Sequence, residues 1–229
     1  MQRHFDEELR DVKNRLLDMG GIAEKMVACA VDGLAGRQDQ CDAIFVEEKK
    51  VNEAQIEIDD TVVKLIALHH PVASDLRFLI MVSKTAGELE RIGDQACNIG
   101  QNTRFYLQHP PLKPLVDIPN MARIAGDMLR QSLDAFTNAD ALLAQKVLET
   151  DSQVDAFKDQ ILRELLTYMI ADPTTIGRSL ELILISRNLE KIGDHATNIA
   201  EDAIYLAQGR EVRHHHETAA SAGGAEGTG

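Results

Sequence analysis

An eleven-residue motif occurs twice in this chain, and its repetition limits how the chain can fold. It reads LERIGDQACNI from Leu89 to Ile99 and LEKIGDHATNI from Leu189 to Ile199, identical at eight of eleven positions. A period of one hundred residues, present in only two copies, indicates two equivalent domains rather than a solenoid of many short units. The 229 residues leave room for two domains of about 100 residues each.

The composition and the spacing of apolar residues favour helices in both halves. Aromatic residues are only 4% of the chain and Trp is absent, while aliphatic residues supply the apolar content. Apolar side chains recur at steps of three and four, as at Leu9, Val12, Leu16 and Met19, which is the period of a helix face. We therefore predict an all-α fold of two tandem three-helix bundles related by internal duplication.

Prolines divide the predicted helices, because proline lacks the N–H that an α-helix needs. Pro71 and Pro173 interrupt corresponding places in the two halves, and four prolines cluster between the halves. Ser74 or Asp75 is the expected N-cap of the third helix. The predicted domains are a first bundle over 1–109, a proline-rich linker over 110–119, a second bundle over 120–209 and a disordered tail over 210–229.

Charge and missing motifs exclude several function classes. The formal charge of −13 repels a phosphate backbone, so direct nucleic-acid binding is not expected. No apolar run is long enough to span a bilayer and the first residues lack a signal peptide's apolar middle, which predicts a soluble cytoplasmic protein. The chain carries no G-x-S-x-G, no phosphate-binding glycine loop and no H-E-x-x-H, so we predict no catalysis.

Each copy of the motif contains a glutamate and an aspartate four residues apart, Glu90 with Asp94 and Glu190 with Asp194. This spacing places both carboxylates on one helical face, opposite the apolar residues of the motif. Like charges at this spacing destabilise a helix by roughly 0.2–0.5 kcal/mol. The pairs are thus expected to face outward and to meet a compensating cation, either a metal ion or a basic partner.

Two further helices carry oxygen donors at the same spacing. Asp151 and Asp155 flank a core valine in the fifth helix, and Glu48 and Asn52 flank one in the second. Clusters of oxygen donors with few histidines suit Mg²⁺, Ca²⁺, Mn²⁺ or iron, whereas the absence of E-x-x-H argues against a buried di-iron site. The candidate metal ligands are Glu48, Glu90, Asp94, Asp151, Asp155, Glu190 and Asp194.

Simpler explanations exist for the same residues. Carboxylates four apart are common on solvated helix faces, and Arg91 and Lys191 are placed to neutralise the pairs locally. Gly93 and Gly193, unfavourable inside a helix, imply either close approach of a ligand or close packing of two helices, and packing is the more ordinary reason. His214–His216 could bind a transition metal weakly, or could simply belong to the tail.

Several segments together resemble the PhoU family: PVASDLR from Pro71, SKTAGELERIGD from Ser83 and the second motif copy from Leu189. The resemblance covers nearly the whole chain. It implies two tandem three-helix bundles and a cytoplasmic negative regulator of the phosphate-starvation (Pho) response. It also implies metal clusters of divalent or iron type, such as Mg, Mn, Fe or Zn, on the carboxylate motifs. Asn52 departs from the family's carboxylate pair.

The same resemblance implies protein partners rather than a substrate. These are the ATPase subunit of the phosphate ABC transporter and the phosphate-sensing histidine kinase, with a homodimer expected from family habit and at most peripheral association with membrane proteins. No basic anion-binding loop is visible, so phosphate is expected to be sensed by the transporter. Two other classes stay open: a carboxylate-rich metal-storage or oxidoreductase bundle, and a purely structural coiled-coil protein.

Overall fold

Six α-helices account for most of the chain in the computed structural model, which describes residues 2–209. No strand occurs in that range, which confirms the predicted all-α class. The predicted tail, with His214–His216, lies outside the described residues. The helices are α1 (Gln2–Ala35), α2 (Cys41–His69), α3 (Ala73–Tyr106), α4 (Asp117–Asn138), α5 (Ala141–Ala171) and α6 (Ile176–Gln208).

The helix ends follow local chemistry, with one correction. Asp140 caps α5 by accepting hydrogen bonds of 3.0 Å from the backbone N–H groups of Leu142 and Leu143. The predicted cap of α3 was wrong: Val72 is the N-cap residue, and neither Ser74 nor Asp75 caps from within the first turn. Asp75 still benefits the helix there, because a carboxylate near the N-terminus interacts favourably with the helix dipole.

The two halves pack against each other along antiparallel helices. Along the α3–α6 contact, Arg77 lies near Gly209 while Glu88, further along α3, meets His195, further back along α6. Helix α1 likewise packs against α4, and a Cβ at Gly20 would approach Leu133 Cδ1 to 2.5 Å, so this contact requires a glycine or a moved leucine. The buried apolar residues of both halves form one continuous core.

Helices α2 and α5 lie on the outside of the two halves. Each packs against the other two helices of its own half and contacts no helix of the other half. The long clefts between α2 and α3, and between α5 and α6, are therefore open to solvent along one side. None of the helices within residues 2–209 is long and apolar enough to cross a membrane.

Candidate functional site: two carboxylate clefts

Gly93 and Gly193 occupy equivalent packing positions, and this defines the alignment of the two halves. A Cβ at Gly93 would lie 3.5 Å from Val51 Cγ1 and from Met26 Cε. A Cβ at Gly193 would lie 3.5 Å from Val154 Cγ1 and 3.8 Å from Met128 Cε. The glycines thus serve close helix packing. The alignment pairs Glu48 with Asp151, Asn52 with Asp155 and Gln55 with Lys158.

The first cleft, between α2 and α3, brings together Glu48, Glu90 and Asp94. Burial raises the pKa of Glu90, and the negative charges of Asp94 and Glu48 raise it further. Burial and the charge of Glu48 also raise the pKa of Asp94. Asn52 donates a 2.6 Å hydrogen bond to Glu48, which within residues 2–209 is the only side-chain hydrogen bond made by the three carboxylates. These carboxylates repel one another, and none of them forms an ion pair with another described residue.

The second cleft, between α5 and α6, brings together Asp151, Asp155, Glu190 and Asp194. Burial, and after it the charges of the other three carboxylates, raise the pKa of Asp151 to about 6, although the charge of Lys158 acts in the opposite direction. The Oδ1 atom of Asp151 would lie 3.4 Å from a Cβ at Gly193, so the glycine also leaves room for this carboxylate over α6. The second cleft thus contains one carboxylate more than the first.

Two lysines neutralise much of the second cleft. Lys158 Nζ donates to Asp155 at 3.0 Å and to Glu190 at 3.2 Å, and these carboxylates raise its pKa to about 12. Lys191 lies 3.3 Å from Glu190 and donates to Asp194, which raises the pKa of its ammonium group. Gln55 replaces Lys158 in the first cleft.

Arg91 replaces Lys191 in the first cleft, and it pairs with Glu88 at 3.7 Å instead of with either carboxylate of the Glu90–Asp94 pair. Lys191 therefore neutralises the Glu190–Asp194 pair by direct contact, as expected. Arg91 lowers the pKa of Glu90 only through its charge.

The predicted carboxylates all line these two clefts, but they do not all face open solvent. Asp155 is 53% exposed, whereas Glu190 is only 16% exposed because it lies beneath the two lysines. Within residues 2–209, no three His, Cys, Asp or Glu side chains are arranged as a ready ligand set for a metal ion. A cation bound in either cleft would require the carboxylates to turn toward it.

A third polar group, between the halves, was missed by the sequence analysis. Glu88 Oε2 lies 2.8 Å from His195 Nδ1 and accepts a 3.0 Å hydrogen bond from Asn198, and the Glu88 and His195 side chains are 14% and 13% exposed. Burial raises the pKa of Glu88, but the hydrogen bonds and the charges of His195 and Arg91 outweigh burial and lower it. The sequence signal that could have revealed this polar group is the change from Gln95 in the first motif copy to His195 in the second.

These features define a class: a two-repeat helical protein whose outer helices form an acidic cleft in each half. The model of the PhoU domain matches residues 16–103 and again residues 118–203. The chain belongs to the PhoU family. It is 40% identical over 228 residues to the phosphate-specific transport system accessory protein PhoU homolog of Pseudomonas aeruginosa, covering 93% of this chain and 89% of that protein.

Further relatives and solved structures agree. The Escherichia coli accessory protein PhoU is 36% identical over 213 residues, covering 92% of this chain and 88% of its own. The crystal structure of PhoU from P. aeruginosa matches with a TM-score of 0.87 at 38% identity, covering 90% of this chain and all of that one.

The crystal structure of the phosphate transport system regulatory protein PhoU from Streptococcus pneumoniae matches with a TM-score of 0.83 at 27% identity. The match covers 91% of this chain and 99% of that one. Both the two-repeat fold and the family resemblance are confirmed. PhoU proteins are accessory proteins and not enzymes, which confirms the prediction of no catalysis.

Proposed function

We propose that this chain is a cytoplasmic negative regulator of the phosphate-starvation response, acting as an adaptor between the phosphate transporter and a sensor histidine kinase. Its family membership supports the broader part of this function, a role in regulating the phosphate transport system. The proposal adds the direction of control, the contact with the transporter's ATPase subunit and the kinase, and a homodimeric state. The observation that carries it is the family match over both halves.

The acidic clefts give the adaptor a surface that suits basic partners. With a formal charge of −13, the chain attracts positively charged patches and speeds their encounter. Asp94 and Asp155 are exposed at the mouths of the clefts, where a partner's lysine or arginine could reach them. A cation bound there would reverse the local charge and so change which partner is favoured.

The first cleft is the better candidate for a metal ion. Its three carboxylates are hard oxygen donors of the kind that Mg²⁺, Mn²⁺ or iron prefers. They repel one another and form no ion pair in the part of the chain that the structure describes, so a cation would relieve their repulsion. In the second cleft two lysines already supply that positive charge. We therefore extend the proposal to a cation held by Glu48, Glu90 and Asp94.

Calorimetry tests the adaptor function. The full chain is titrated with the ATPase subunit and with the kinase's cytoplasmic region, with and without Mn²⁺, and compared with a Glu190→Gln/Asp194→Asn variant. We expect binding to at least one partner, weakened about tenfold or more by the substitutions. The matched control is Glu53→Gln/Asp60→Asn, which removes two exposed charges from α2 outside the clefts. Absence of binding to both partners would contradict the function.

The same titration separates the proposal from the rival function of metal storage. A storage bundle binds several metal ions per chain whether or not a partner is present. Sedimentation of the same sample measures the proposed homodimer. Binding of many metal ions with no affinity for either protein would favour storage over the adaptor.

A further inference from the structure

The outer edge of the α5–α6 hairpin carries large apolar side chains exposed to solvent. On α5 they recur every four residues, so they lie on one helical face. Two more follow at the start of α6 at the same spacing. The five exposed side chains are Leu162 (40%), Leu166 (44%), Ile170 (83%), Ile176 (48%) and Leu180 (47%).

These side chains form one continuous surface because α5 and α6 run antiparallel. Lys158 of α5 meets Glu190 of α6. Leu162, one turn after Lys158 on α5, lines the same groove as Ile183, which lies about two turns before Glu190 on α6. Continuing this register places Leu166 beside Leu180. It also brings Ile170 and Ile176 together at the tip of the hairpin. We call the five residues, with Ile183, the α5–α6 apolar face.

One end of this face is a groove with a charged rim. The groove has a volume of about 290 Å³, and Leu162 and Ile183 line it. Its rim carries three cations, Lys158, Arg187 and Lys191, against one carboxylate, Glu190. The lysines are paired with carboxylates of the second cleft, whereas exposed Arg187 makes no hydrogen bond or ion pair within the described part of the chain. Arg187 is thus available to a partner's carboxylate.

The first half shares the scaffold, but the residues that line this groove are replaced there. The residues equivalent to Leu162 and Ile183 are Asp59 and Ser83, which join across α2 and α3 through a 2.5 Å hydrogen bond. Gly87 replaces Arg187. The same position is therefore polar and bridged by a hydrogen bond in the first half, but apolar and bordered by the Arg187 guanidinium in the second.

We propose that the α5–α6 apolar face docks an amphipathic helix of a protein partner, one with apolar residues every three to four positions and a carboxylate that reaches Arg187. This inference rests on the proposed adaptor function and specifies the surface it uses. The exposed apolar area is on the order of 400 Å², about the size at which such patches mark interaction sites. A helix laid in a groove is a common way to cover such a surface.

Charge favours an acidic segment of another protein over a second copy of this chain. Arg187, the rim cation without a partner in the described residues, attracts a partner's carboxylate. A second copy docked through this face would place two acidic second clefts against each other, so we expect the proposed homodimer to form through another surface. The occupant we expect is therefore an acidic amphipathic helix of a partner protein.

The test compares variants of the full chain in calorimetric titrations with both partner proteins. Leu166→Ser/Leu180→Ser disrupts the face, and Arg187→Glu reverses its free cation. The matched control is Val63→Ser/Ile80→Ser, which alters the equivalent exposed pair of the first half, 66% and 41% exposed. All substituted side chains are exposed, and circular dichroism checks that each variant folds.

We expect both variants of the face to weaken binding of one partner at least tenfold, while the control stays within about twofold of the wild type. Equal affinities for wild type and all variants would overturn the docking surface and leave the adaptor function standing. Absence of wild-type binding would instead overturn the adaptor function and this occupant with it. Dissociation of a wild-type dimer by the same variants, with partner binding unchanged, would assign the face to a second copy.

Discussion

The two clefts share one scaffold but differ in how their charge is balanced. Gly93 packs against Val51 as Gly193 packs against Val154, and a Cβ added at either glycine would lie 3.5 Å from the valine. Above this contact, the three carboxylates of the first cleft have no ion-pair partner among the described residues, whereas Lys158 and Lys191 pair with three of the four in the second. Apolar packing thus fixes the helices, while the polar residues above it are free to take different roles.

We expect the largest difference in stability between equivalent substitutions at the contact between the halves. Replacing Glu88 by Ala leaves the partly buried side chains of His195 and Asn198 without this partner, so we expect a loss of roughly 2 kcal/mol in the free energy of unfolding. The equivalent substitution, Asn188→Ala, should cost less than about 1 kcal/mol, because the Asn188 side chain makes no hydrogen bond to any residue in 2–209. Urea denaturation measures both.

The Glu88 effect also has a predicted pH dependence. Because the folded pKa of Glu88 lies below its ordinary value, its contribution is present at neutral pH and is lost as the pH falls through the folded pKa. Equal losses for Glu88→Ala and Asn188→Ala would show that the polar group between the halves has no special weight.

Exchanging the residues at the lysine position should reverse the cation preference of the clefts. Gln55→Lys places an ammonium group in the first cleft, and we expect its Mn²⁺ affinity to fall at least tenfold, or about 1.4 kcal/mol. Lys158→Gln should raise the affinity of the second cleft. Calorimetry at constant ionic strength measures both, with Gln145→Lys as a control for net charge. Unchanged affinities in both variants would mean that Mn²⁺ does not bind in the clefts.

Asp151 should destabilise the folded chain at neutral pH. Its pKa is raised to about 6, so the folded chain binds more protons than the unfolded chain from about pH 4 to 6, and stability falls as the pH rises through this window. Asp151→Asn removes the charge and should stabilise the protein by about 1 kcal/mol at pH 7, after allowance for partial exposure.

Glu48→Gln is the equivalent substitution in the first cleft. We expect it to raise the free energy of unfolding by less than Asp151→Asn does, because Asn52 stabilises the Glu48 carboxylate with a hydrogen bond. Thermal unfolding at pH 4 and pH 7 separates the variants, and a stability gain of Asp151→Asn over the wild type that is no larger at pH 7 than at pH 4 would argue against the Asp151 effect.

We expect the smallest difference in stability for alanine substitutions at the two motif glycines, Gly93 and Gly193. Alanine is favoured over glycine inside a helix by about 1 kcal/mol. A Cβ at Gly93 would meet only apolar atoms at contact distance, so Gly93→Ala should stabilise the chain by about 0.5–1 kcal/mol. At Gly193 the added methyl would lie 3.4 Å from the Asp151 carboxylate and desolvate it, so the gain should be smaller or absent. Melting temperatures of the two variants provide the comparison.

Local pattern was enough to predict the helices and the carboxylate clusters. The duplicated motif, the apolar spacing and Pro71 and Pro173 indicated three helices in each half, and the helix order follows them. Spacing also placed the Glu90–Asp94 and Glu190–Asp194 pairs on single faces. These features depend on neighbours within one or two helical turns, which a sequence displays directly.

The sequence did not predict contacts that depend on how separate helices are aligned. Lys158 reaches Glu190 only because of the register between α5 and α6, and Glu88 meets His195 only because α3 packs antiparallel along α6. The prediction of the α3 cap failed for a local reason: Val72, in an extended conformation, is the N-cap, and the helix begins at Ala73, one residue before Ser74.

The antiparallel contact between the halves has a consequence for how such a chain can change over generations. Two separate copies of a single three-helix unit, joined in the same arrangement, would be encoded by one gene segment, so every substitution would occur on both sides at once. Fusion into one polypeptide removes that coupling. One half can then acquire a lysine where the other keeps a glutamine, and an apolar groove where the other keeps an aspartate and a serine, while the shared core preserves the fold for both.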